Sequence, residues 1–258
     1  MGKYLPLSKN HQKWIKRLHH KKYRNEERMF IAEGVHSLKE AVAVSNYPLK
    51  EVIVEKGVLE SLQSILPGGV PIYECSEKEM KIISTEETPQ GVLALCHKRD
   101  SVFEDLPARS SDVMLYLDRI ADPGNLGTII RTAAWFDIGV IILSPHCVDP
   151  FSMKVVRASA GSIFRTVIFQ SVDPELLVQF AQRNNYKLIA TVPEGGIPIH
   201  RWKRSGKDIL LLGQEAGGLS EDIKQYADEN VSIQGKGNIQ SLNLAVATAI
   251  ILYEISKM

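Results

Sequence analysis

Near its end the chain reads Val231-Ser232-Ile233-Gln234-Gly235-Lys236-Gly237-Asn238-Ile239-Gln240-Ser241-Leu242-Asn243. This stretch begins as a short apolar strand, passes through a loop with two glycines, and is followed by an apolar run as far as Tyr253. Apolar residues in that run recur at helical spacing and also fill the other faces, which predicts a helix buried nearly all round. Ser241 and Asn243 fit two interpretations, helix N-caps or one wall of a small-ligand pocket with exposed loop backbone.

Length and composition bound the class of protein. With 258 residues, 44% of them hydrophobic, the chain can bury one large core or two modest ones, and we expect two domains. Its apolar runs are too short to span a bilayer, and its basic N-terminus has no apolar signal core, so we expect a soluble cytoplasmic protein. Cys75, Cys96 and Cys147 are scattered without metal-ligand spacing, which predicts buried free cysteines, no disulfide and no metal site.

The net charge of +1 hides an uneven distribution. Residues 1–28, here called the basic arm, contain nine lysines and arginines against two glutamates, a charge of +7, so the remaining residues carry −6. Aromatic and histidine side chains are interleaved with these cations: Tyr4, Trp14, His19, His20 and Tyr23. This pattern predicts a phosphate-binding surface, and a solvated helix face is the alternative. The candidate contacts lie on a basic helix predicted over Asn10–Lys22: Lys13, Lys16, Arg17, Lys21 and Lys22.

After the basic arm, the first part of the chain alternates between short strands and helices. The predicted strands are Met29–Ala32, Glu51–Val54, Val70–Tyr73 and Gly91–Leu95. The predicted helices are Val35–Val44, Val58–Leu66 and Glu77–Ile83, the last opened by a capping box of Ser76 and Glu79. This alternation predicts a small α/β domain over residues 1–97. Residues 98–112 are polar, contain Pro107 and are predicted to be a linker.

A second alternation fills residues 113–258. The predicted strands are Val113–Leu117, Val140–Leu143, Val167–Phe169, Lys187–Thr191, Ile209–Leu212 and the strand that starts at Val231. The predicted helices are Asn125–Trp135, Phe151–Ala158, Pro174–Asn184, a short helix from Ser220 to Tyr226, and the C-terminal helix. Continuous apolar strands alternating with helices predict a mostly parallel sheet covered on both faces.

Three loops follow strands of this sheet at the edge where such sheets bind ligands, beyond the carboxyl ends of the strands. They are Asp118-Arg119-Ile120-Ala121-Asp122-Pro123-Gly124-Asn125-Leu126-Gly127-Thr128-Ile129-Ile130-Arg131, which enters a helix, Leu212-Gly213-Gln214-Glu215-Ala216-Gly217-Gly218-Leu219, and the stretch quoted first. None matches a dinucleotide fingerprint or a P-loop, which argues against nicotinamide and nucleoside triphosphate cofactors. A glycine-rich loop alone is compatible with an ordinary turn, but turn chemistry does not require the carboxylate of Glu215.

Taken together and in this order, the three loops resemble the three motifs of the SpoU (TrmH) family of RNA ribose 2′-O-methyltransferases in the SPOUT superfamily. The matching segments run from Asn125 through Arg131 to Ala133, from Gly213 to Leu219, and from Ile233 to Asn243. The resemblance covers residues 113–258. It departs from the family at Ala216, where glycine is usual, and at Gln234 and Gly235, where Pro-Met is common, all in the loops of the second and third motifs.

The resemblance implies an S-adenosylmethionine-dependent enzyme that works as a homodimer. It implies that residues 113–258 form a SPOUT domain with a C-terminal trefoil knot, and that residues 1–97 form an RNA substrate-binding domain with an L30e-like α/β/α fold. General rules of topology argue against knots, so the knot rests on the resemblance alone. The implied cofactor-binding residues come from the second and third motifs and one neighbouring strand: Thr191, Leu212, Gly213, Gly218, Ile233, Ser241 and Leu242.

The resemblance also implies the catalytic residues Arg131, Asn125, Glu215, Ser241 and Asn243. Arginine is not deprotonated under ordinary conditions, so we expect Arg131 to clamp a phosphate and stabilise the emerging alkoxide rather than to act as a base. We expect ribosomal RNA as the substrate rather than tRNA. Two alternatives remain at this stage, a SPOUT enzyme that methylates base nitrogens of tRNA and a non-catalytic RNA-binding protein of the same fold.

Overall fold

A computed structural model of the protein describes residues 4–44, 46–99, 102–106, 111–204, 206–215, 217–237 and 241–258. The chain divides into two compact units. Unit 1 comprises Met1–Asp100 and Asp149–Arg165, and unit 2 comprises Ser101–Val148 and Thr166–Met258. The segment Asp149–Arg165 thus packs in unit 1, although it falls within the range 113–258 predicted for the second domain.

The elements of the first part of the chain are β1 (Leu5–Pro6), α1 (Lys9–Arg17), α2 (Lys21–Glu26), β2 (Met29–Glu33), α3 (Val35–Ala43), β3 (Leu49–Glu55), α4 (Leu59–Leu62), β4 (Ile72–Cys75), α5 (Glu77–Ile83) and β5 (Val92–His97). Among the described residues the strands form a five-stranded sheet in the order β1-β4-β3-β5-β2, in which β5 runs antiparallel to β2 and β3. The capping box of Ser76 and Glu79 at the start of α5 is confirmed. The helix predicted over Val58–Leu66 is reduced to α4.

The single basic helix predicted over Asn10–Lys22 is wrong, because the structure has α1 and α2 with a turn between them. The guanidinium of Arg24 explains the break. It donates hydrogen bonds to the carbonyl oxygens of Leu18 (2.8 Å) and His19 (2.7 Å), which removes these acceptors from a continuing helix. Nη2 of Arg24 donates a hydrogen bond to Oδ2 of Asp149 at 2.6 Å. The two residues are 125 positions apart in sequence and form a buried ion pair within unit 1.

The later elements are β6 (Val113–Leu117), α6 (Pro123–Trp135), β7 (Val140–Leu143), α7 (Met153–Ala158), β8 (Val167–Phe169), α8 (Pro174–Asn184), β9 (Tyr186–Thr191), β10 (Ile197–Pro198), β11 (Lys207–Leu212), α9 (Glu221–Lys224), β12 (Glu229–Ser232) and α10 (Leu244–Ile255). In the described part of unit 2 the strands form a seven-stranded sheet in the order β10-β12-β9-β11-β6-β7-β8, with every pair parallel. The parallel sheet predicted from the continuous apolar strands is therefore confirmed. Phe103, inside the predicted linker of residues 98–112, is buried in the core of unit 2.

Helix α10 differs from its prediction in one respect. Val246 and Tyr253 are 48% and 54% exposed, so the prediction of burial nearly all round is wrong for the single chain. These two residues are seven apart and lie on one face of the helix, while Thr248, Ile251 and Leu252 on the other side are buried. The sequence is apolar all round, but the folded chain covers only part of the surface.

The structure also bears on membrane and metal sites. Within the described ranges, no helix is both long and apolar enough to cross a bilayer. The same ranges contain no group of three or more His, Cys, Asp or Glu side chains placed to hold a metal ion. Cys75 and Cys96 are buried and free, and Cys147 is half-buried and free.

Candidate active site

The three loops singled out in the sequence follow β6, β11 and β12. Strands β6 and β11 are neighbours, with Leu117 opposite Leu212, so the first two loops leave the sheet side by side. The order of the sheet reverses at this point, because the chain continues from β6 to β7 on one side, while β11 lies on the other. This is the position where open parallel sheets form a ligand-binding crevice.

Each loop contributes one side chain to a hydrogen-bonded group that we call the Asn-Glu-Asn cluster: Asn125, Glu215 and Asn243. Oε1 of Glu215 accepts hydrogen bonds from Nδ2 of Asn125 (2.9 Å) and from Nδ2 of Asn243 (2.6 Å). The same Nδ2 of Asn243 lies 2.9 Å from Oδ1 of Asn125. Residues that are 90 and 118 positions apart in sequence from Asn125 therefore meet it in one cluster.

Asn125 is placed by the start of α6. Asp122 is the N-cap residue, and its Oδ1 accepts the backbone N–H of Asn125 at 2.7 Å. Pro123 occupies the first turn, where its missing N–H leaves no helical hydrogen bond unmade. Asp followed by Pro is a helix-start signal, so the cap of α6 at Asp122 is recognisable from the sequence.

Glu215 lies near the tip of a loop that follows β11. The two sides of this loop, Leu212–Glu215 and Gly217–Ser220, are here called the limbs of the glutamate loop. Gln214 and Gly218 join the limbs by two backbone hydrogen bonds of 3.1 Å and 2.9 Å. A Cβ atom on Gly213 would lie 2.1 Å from the carbonyl carbon of Gly218, so only glycine allows this approach. Gly218 has a φ of +63°, a left-handed conformation that glycine adopts without strain.

Asn243 is the N-cap of α10, the first of the two roles that the sequence left open, and it also joins the cluster. Its Oδ1 caps α10 by accepting the backbone N–H groups of Ala245 (3.0 Å) and Val246 (3.2 Å). Its Nδ2 remains available for the cluster. The backbone N–H of Leu244, the first residue of α10, also donates to Oε1 of Glu215 at 3.2 Å. The positive end of the helix dipole therefore supports the carboxylate.

Arg131 is exposed on α6 and lies away from the cluster. It follows Asn125 by six residues, which corresponds to about 9 Å along the helix and about 120° around it. In the described part of the chain its guanidinium has no carboxylate or hydrogen-bond partner. Ser241 and Leu242 are exposed just before α10.

The predicted cofactor residues surround the carboxyl ends of the central strands. Thr191 ends β9 and donates from its hydroxyl to the carbonyl oxygen of Leu211 at 2.9 Å. Leu212 and Gly213 are buried, whereas Ile233 is half-buried. A Cβ atom on Gly235 or Gly237 would have no neighbour within 4 Å, and both residues are exposed, so their backbone is accessible to a ligand. Gln234 is exposed, and Ala216 lies outside the described residues.

The five predicted phosphate contacts of the basic arm are all exposed in unit 1. The guanidinium carbon of Arg17 lies 4.2 Å from the ring centroid of Tyr23, and Nζ of Lys22 lies 5.8 Å from it. Both cations thus lie over the half-buried aromatic ring of Tyr23. Cys147, near the end of β6, has a thiol pKa raised by burial, which argues against a role as a nucleophile.

Known proteins resemble this chain along most of its length. The SpoU rRNA Methylase family model matches residues 112–253, and the MRM3-like substrate binding domain model matches residues 9–94. The chain is 31% identical to the 23S rRNA (guanosine(2553)-2′-O)-methyltransferase RlmP of Bacillus subtilis over 93% of each chain. It is 26% identical to the 23S rRNA (uridine(2479)-2′-O)-methyltransferase of Streptomyces viridochromogenes, over 94% of this chain and 88% of the relative. The AdoMet-bound rRNA methyltransferase of Sinorhizobium meliloti superposes with a TM-score of 0.86 at 31% identity, covering 98% of this chain and 96% of the other.

Proposed function

Because the chain belongs to the SpoU rRNA methylase family, we propose that it is an enzyme that transfers a methyl group from S-adenosylmethionine to a ribose 2′-hydroxyl of ribosomal RNA. The two relatives named above carry names for 2′-O-methylation of 23S rRNA, one at a guanosine and the other at a uridine. Since the base differs between them and the ribose position does not, the shared chemistry concerns the 2′-hydroxyl. This favours ribose methylation over methylation of a base nitrogen in tRNA.

The observation that carries the proposal is the Asn-Glu-Asn cluster. Oε1 of Glu215 receives three hydrogen bonds, from Asn125, Asn243 and the backbone of Leu244. Its other oxygen, Oε2, has no partner among the described residues and is free to orient a substrate group. Ordering three exposed side chains from three loops in one cluster contributes little to the stability of the fold. The cluster fits a site in which a ribose must be held in one orientation.

The chemistry requires help because a ribose hydroxyl is a poor nucleophile until it loses its proton. Bound S-adenosylmethionine supplies an electrophilic methyl group on a sulfonium centre. Arg131 keeps its proton and presents a planar fork of donors that matches a phosphate group. We assign it to clamp the phosphate beside the target ribose and to stabilise negative charge that develops on the 2′-oxygen. Asn125, Glu215, Ser241 and Asn243 orient the ribose.

The residues proposed to hold the cofactor fit its chemistry. S-adenosylmethionine combines an apolar adenine face with amide-like hydrogen-bonding edges and a charged amino-acid end. Leu242 is 46% exposed and Ile233 is half-buried, so both offer apolar surface, while the accessible backbone at Gly235 and Gly237 offers donors and acceptors. Thr191, Leu212, Gly213, Gly218 and Ser241 complete the proposed set.

The proposal assigns RNA recognition to residues 1–97 and chemistry to residues 113–258. The match of residues 9–94 to a substrate-binding domain model supports the first assignment. Exposed cations on α1 and α2 supply the electrostatic attraction to phosphates: Lys13, Lys16, Arg17, Lys21 and Lys22. We further propose that the enzyme acts in the cytoplasm. The C-terminal trefoil knot remains a prediction from the family resemblance.

We also propose that the enzyme is a homodimer. Two helices of unit 2 expose apolar surface, α10 at Val246 and Tyr253 and α6 at Trp135, which is 84% exposed. The two helices are neighbours in the fold, and exposed apolar side chains on neighbouring helices are a feature of interaction sites. Arg131 lies four residues before Trp135 on the same face of α6, so a partner covering Trp135 would also approach Arg131.

The function is tested with purified protein, S-adenosylmethionine and ribosomal RNA, followed by mass spectrometry of the digested nucleosides. We expect a 2′-O-methylated nucleoside, formed much more slowly but still measurably in Glu215→Ala and at the wild-type rate in Glu221→Ala, which changes an exposed glutamate on α9. A methyl group on a base would overturn the ribose assignment. Failure to bind S-adenosylmethionine in calorimetry with a chelator present would indicate either a metal requirement or a non-catalytic RNA-binding protein, and added Mg²⁺ separates the two.

A further inference from the structure

Asp118 is a buried carboxylate beside the glutamate loop. It follows β6 directly and is only 2% exposed. Its backbone N–H donates to the carbonyl oxygen of Leu212 at 2.8 Å, and its Oδ2 accepts the backbone N–H of Ser220 at 2.8 Å. Leu212 begins one limb of the glutamate loop, and Ser220 ends the other. One residue therefore holds both limbs at their bases.

Neighbouring groups compensate the burial of the Asp118 carboxylate. Burying a carboxylate is unfavourable unless hydrogen bonds and a cation compensate it. Nε of Arg119 lies 3.5 Å from Oδ2 of Asp118, and this buried Nε makes no hydrogen bond within the described residues. Arg119 also has a φ of +55°, which is unfavourable for a residue with a Cβ, and its N–H is held by Oγ of Ser144 at 2.8 Å. Such local strain is concentrated at functional sites.

The limbs transmit this anchoring to Glu215. Gln214 and Gly218 couple them by paired backbone hydrogen bonds, and Gly213 packs so closely against Gly218 that a Cβ atom on Gly213 would lie 2.1 Å from the Gly218 backbone. Glu215 follows Gln214 directly. A shift at the base of the limbs would therefore move Oε1 of Glu215 relative to the donors from Asn125 and Asn243.

We propose that Asp118 is a positioning residue of the methyl-transfer site, which holds the two limbs of the glutamate loop so that Glu215 keeps Asn125 and Asn243 in the reactive arrangement. The inference rests on the proposed function and deepens it. Asp118 itself does not touch the substrate. Its effect on the reaction should pass through Glu215, which distinguishes it from a residue that only stabilises the fold.

A double-mutant cycle tests this route. Asp118→Ala should lower kcat on the order of 100-fold, the effect of a displacement of about 1 Å in a catalytic group, with little change in KM for RNA. Asp118→Asn keeps an acceptor oxygen and should recover part of the loss. In the wild-type background, Asp118→Ala should lower the single-turnover rate by the full amount. If the effect passes through Glu215, the double variant Asp118→Ala/Glu215→Ala should be less than threefold slower than Glu215→Ala alone. An equal loss in both backgrounds would overturn the inference.

A second pair of variants tests the same contact with Asp118 intact. Ser220 has a φ of −66°, which proline adopts, and its side chain makes no capping hydrogen bond. Ser220→Pro removes the N–H that Asp118 accepts, and Ser220→Ala, which keeps that N–H, is its reference. We expect kcat to fall in Ser220→Pro relative to Ser220→Ala. Equal kcat values in the two would contradict the inference while leaving the proposed function intact, whereas a wild-type enzyme without methyl transfer would instead remove the proposed function.

Discussion

Nδ2 of Asn243 donates a hydrogen bond to Oε1 of Glu215 at 2.6 Å, the shortest contact of the Asn-Glu-Asn cluster. The opposite atom of the same amide, Oδ1, caps α10. An asparagine is suited to this position because its amide offers a donor and an acceptor at once, which neither serine nor aspartate does in the same geometry. The start of α10 and the tip of the glutamate loop are thereby fixed to one another.

The two functions of Asn243 can be separated by substitution. Asn243→Asp keeps the acceptor that caps α10 but replaces the donor with a negatively charged oxygen beside Glu215. We expect near wild-type thermal stability and a loss of kcat on the order of 100-fold from misplacement of the cluster. Asn243→Ala should lose the same activity and also destabilise the protein by about 1 kcal/mol, the usual effect of removing an N-cap.

Kinetics and thermal unfolding of the two variants provide the measurement. Thr248→Val serves as a control on α10, because the Thr248 hydroxyl donates to the carbonyl oxygen of Leu244 at 2.8 Å and makes no hydrogen bond to Asn125, Glu215 or Asn243. If Asn243→Asp retained full kcat, the donor from Nδ2 would have no role in catalysis.

The sequence predicts the cluster better than it predicts its supports. Asn125, Glu215 and Asn243 belong to loops that could be recognised from glycine content, from position after apolar strands and from order along the chain. The role of Asp118 could not be recognised, because its partners Leu212 and Ser220 are about a hundred residues away and offer only backbone groups. For the same reason the break between α1 and α2 was missed, since Asp149 binds Arg24 from a distant segment.

The basic arm should contribute RNA affinity rather than chemistry. Replacing Lys13, Lys16, Arg17, Lys21 and Lys22 with glutamine should weaken RNA binding. If all five contact phosphates, the slope of log K against log salt should become shallower by about 3.5 to 4.5, because fewer counterions are released. The affinity for S-adenosylmethionine should stay the same. Filter binding over a range of salt concentrations gives the slope.

Lys39 and Lys78 provide the control for the basic arm. Both are exposed cations on other helices of unit 1, α3 and α5. Glutamine at these two positions should leave the salt slope unchanged. If the fivefold variant of the basic arm also kept the wild-type slope, the RNA would have to bind a different surface.

Lys98 should make stability depend on pH. Burial lowers its pKa from 10.5 to about 8, Asp149 opposes the shift, and Arg24, Lys21 and Arg28 add to it. The folded chain therefore loses this proton before the unfolded chain does. Between about pH 8 and pH 10.5 the unfolded state binds more protons, so this lysine makes the free energy of unfolding rise with pH in that window.

Lys98→Met should remove this contribution. Chemical denaturation of wild type and variant across the window measures it, and we expect the difference in stability between the two to change in favour of the wild type as the pH rises. Lys78→Met, at an exposed position on α5, controls for the loss of one lysine from the chain. Parallel stability curves for wild type and Lys98→Met would mean that Lys98 keeps its proton throughout this pH range.

The active site of the proposed homodimer should be shared, with Arg131 of one subunit acting at the cofactor pocket of the other. Arg131 is about 120° around α6 from Asn125 and lies on the face that carries the exposed Trp135, so it is directed toward the proposed partner rather than its own cluster. Arg131→Ala and Asn243→Ala should each be nearly inactive. The two variants are then unfolded and refolded together so that their subunits exchange.

In a two-fold dimer with shared sites, each mixed dimer has one site with both substitutions and one with neither. Random exchange should therefore recover roughly a quarter of the wild-type activity, because half of the dimers are mixed and half of their sites are intact. If each subunit builds its own site, every site in the mixture retains one substitution, and activity stays near zero. Native mass spectrometry establishes that mixed dimers have formed. Their presence without recovered activity would show that Arg131 acts on the pocket of its own subunit.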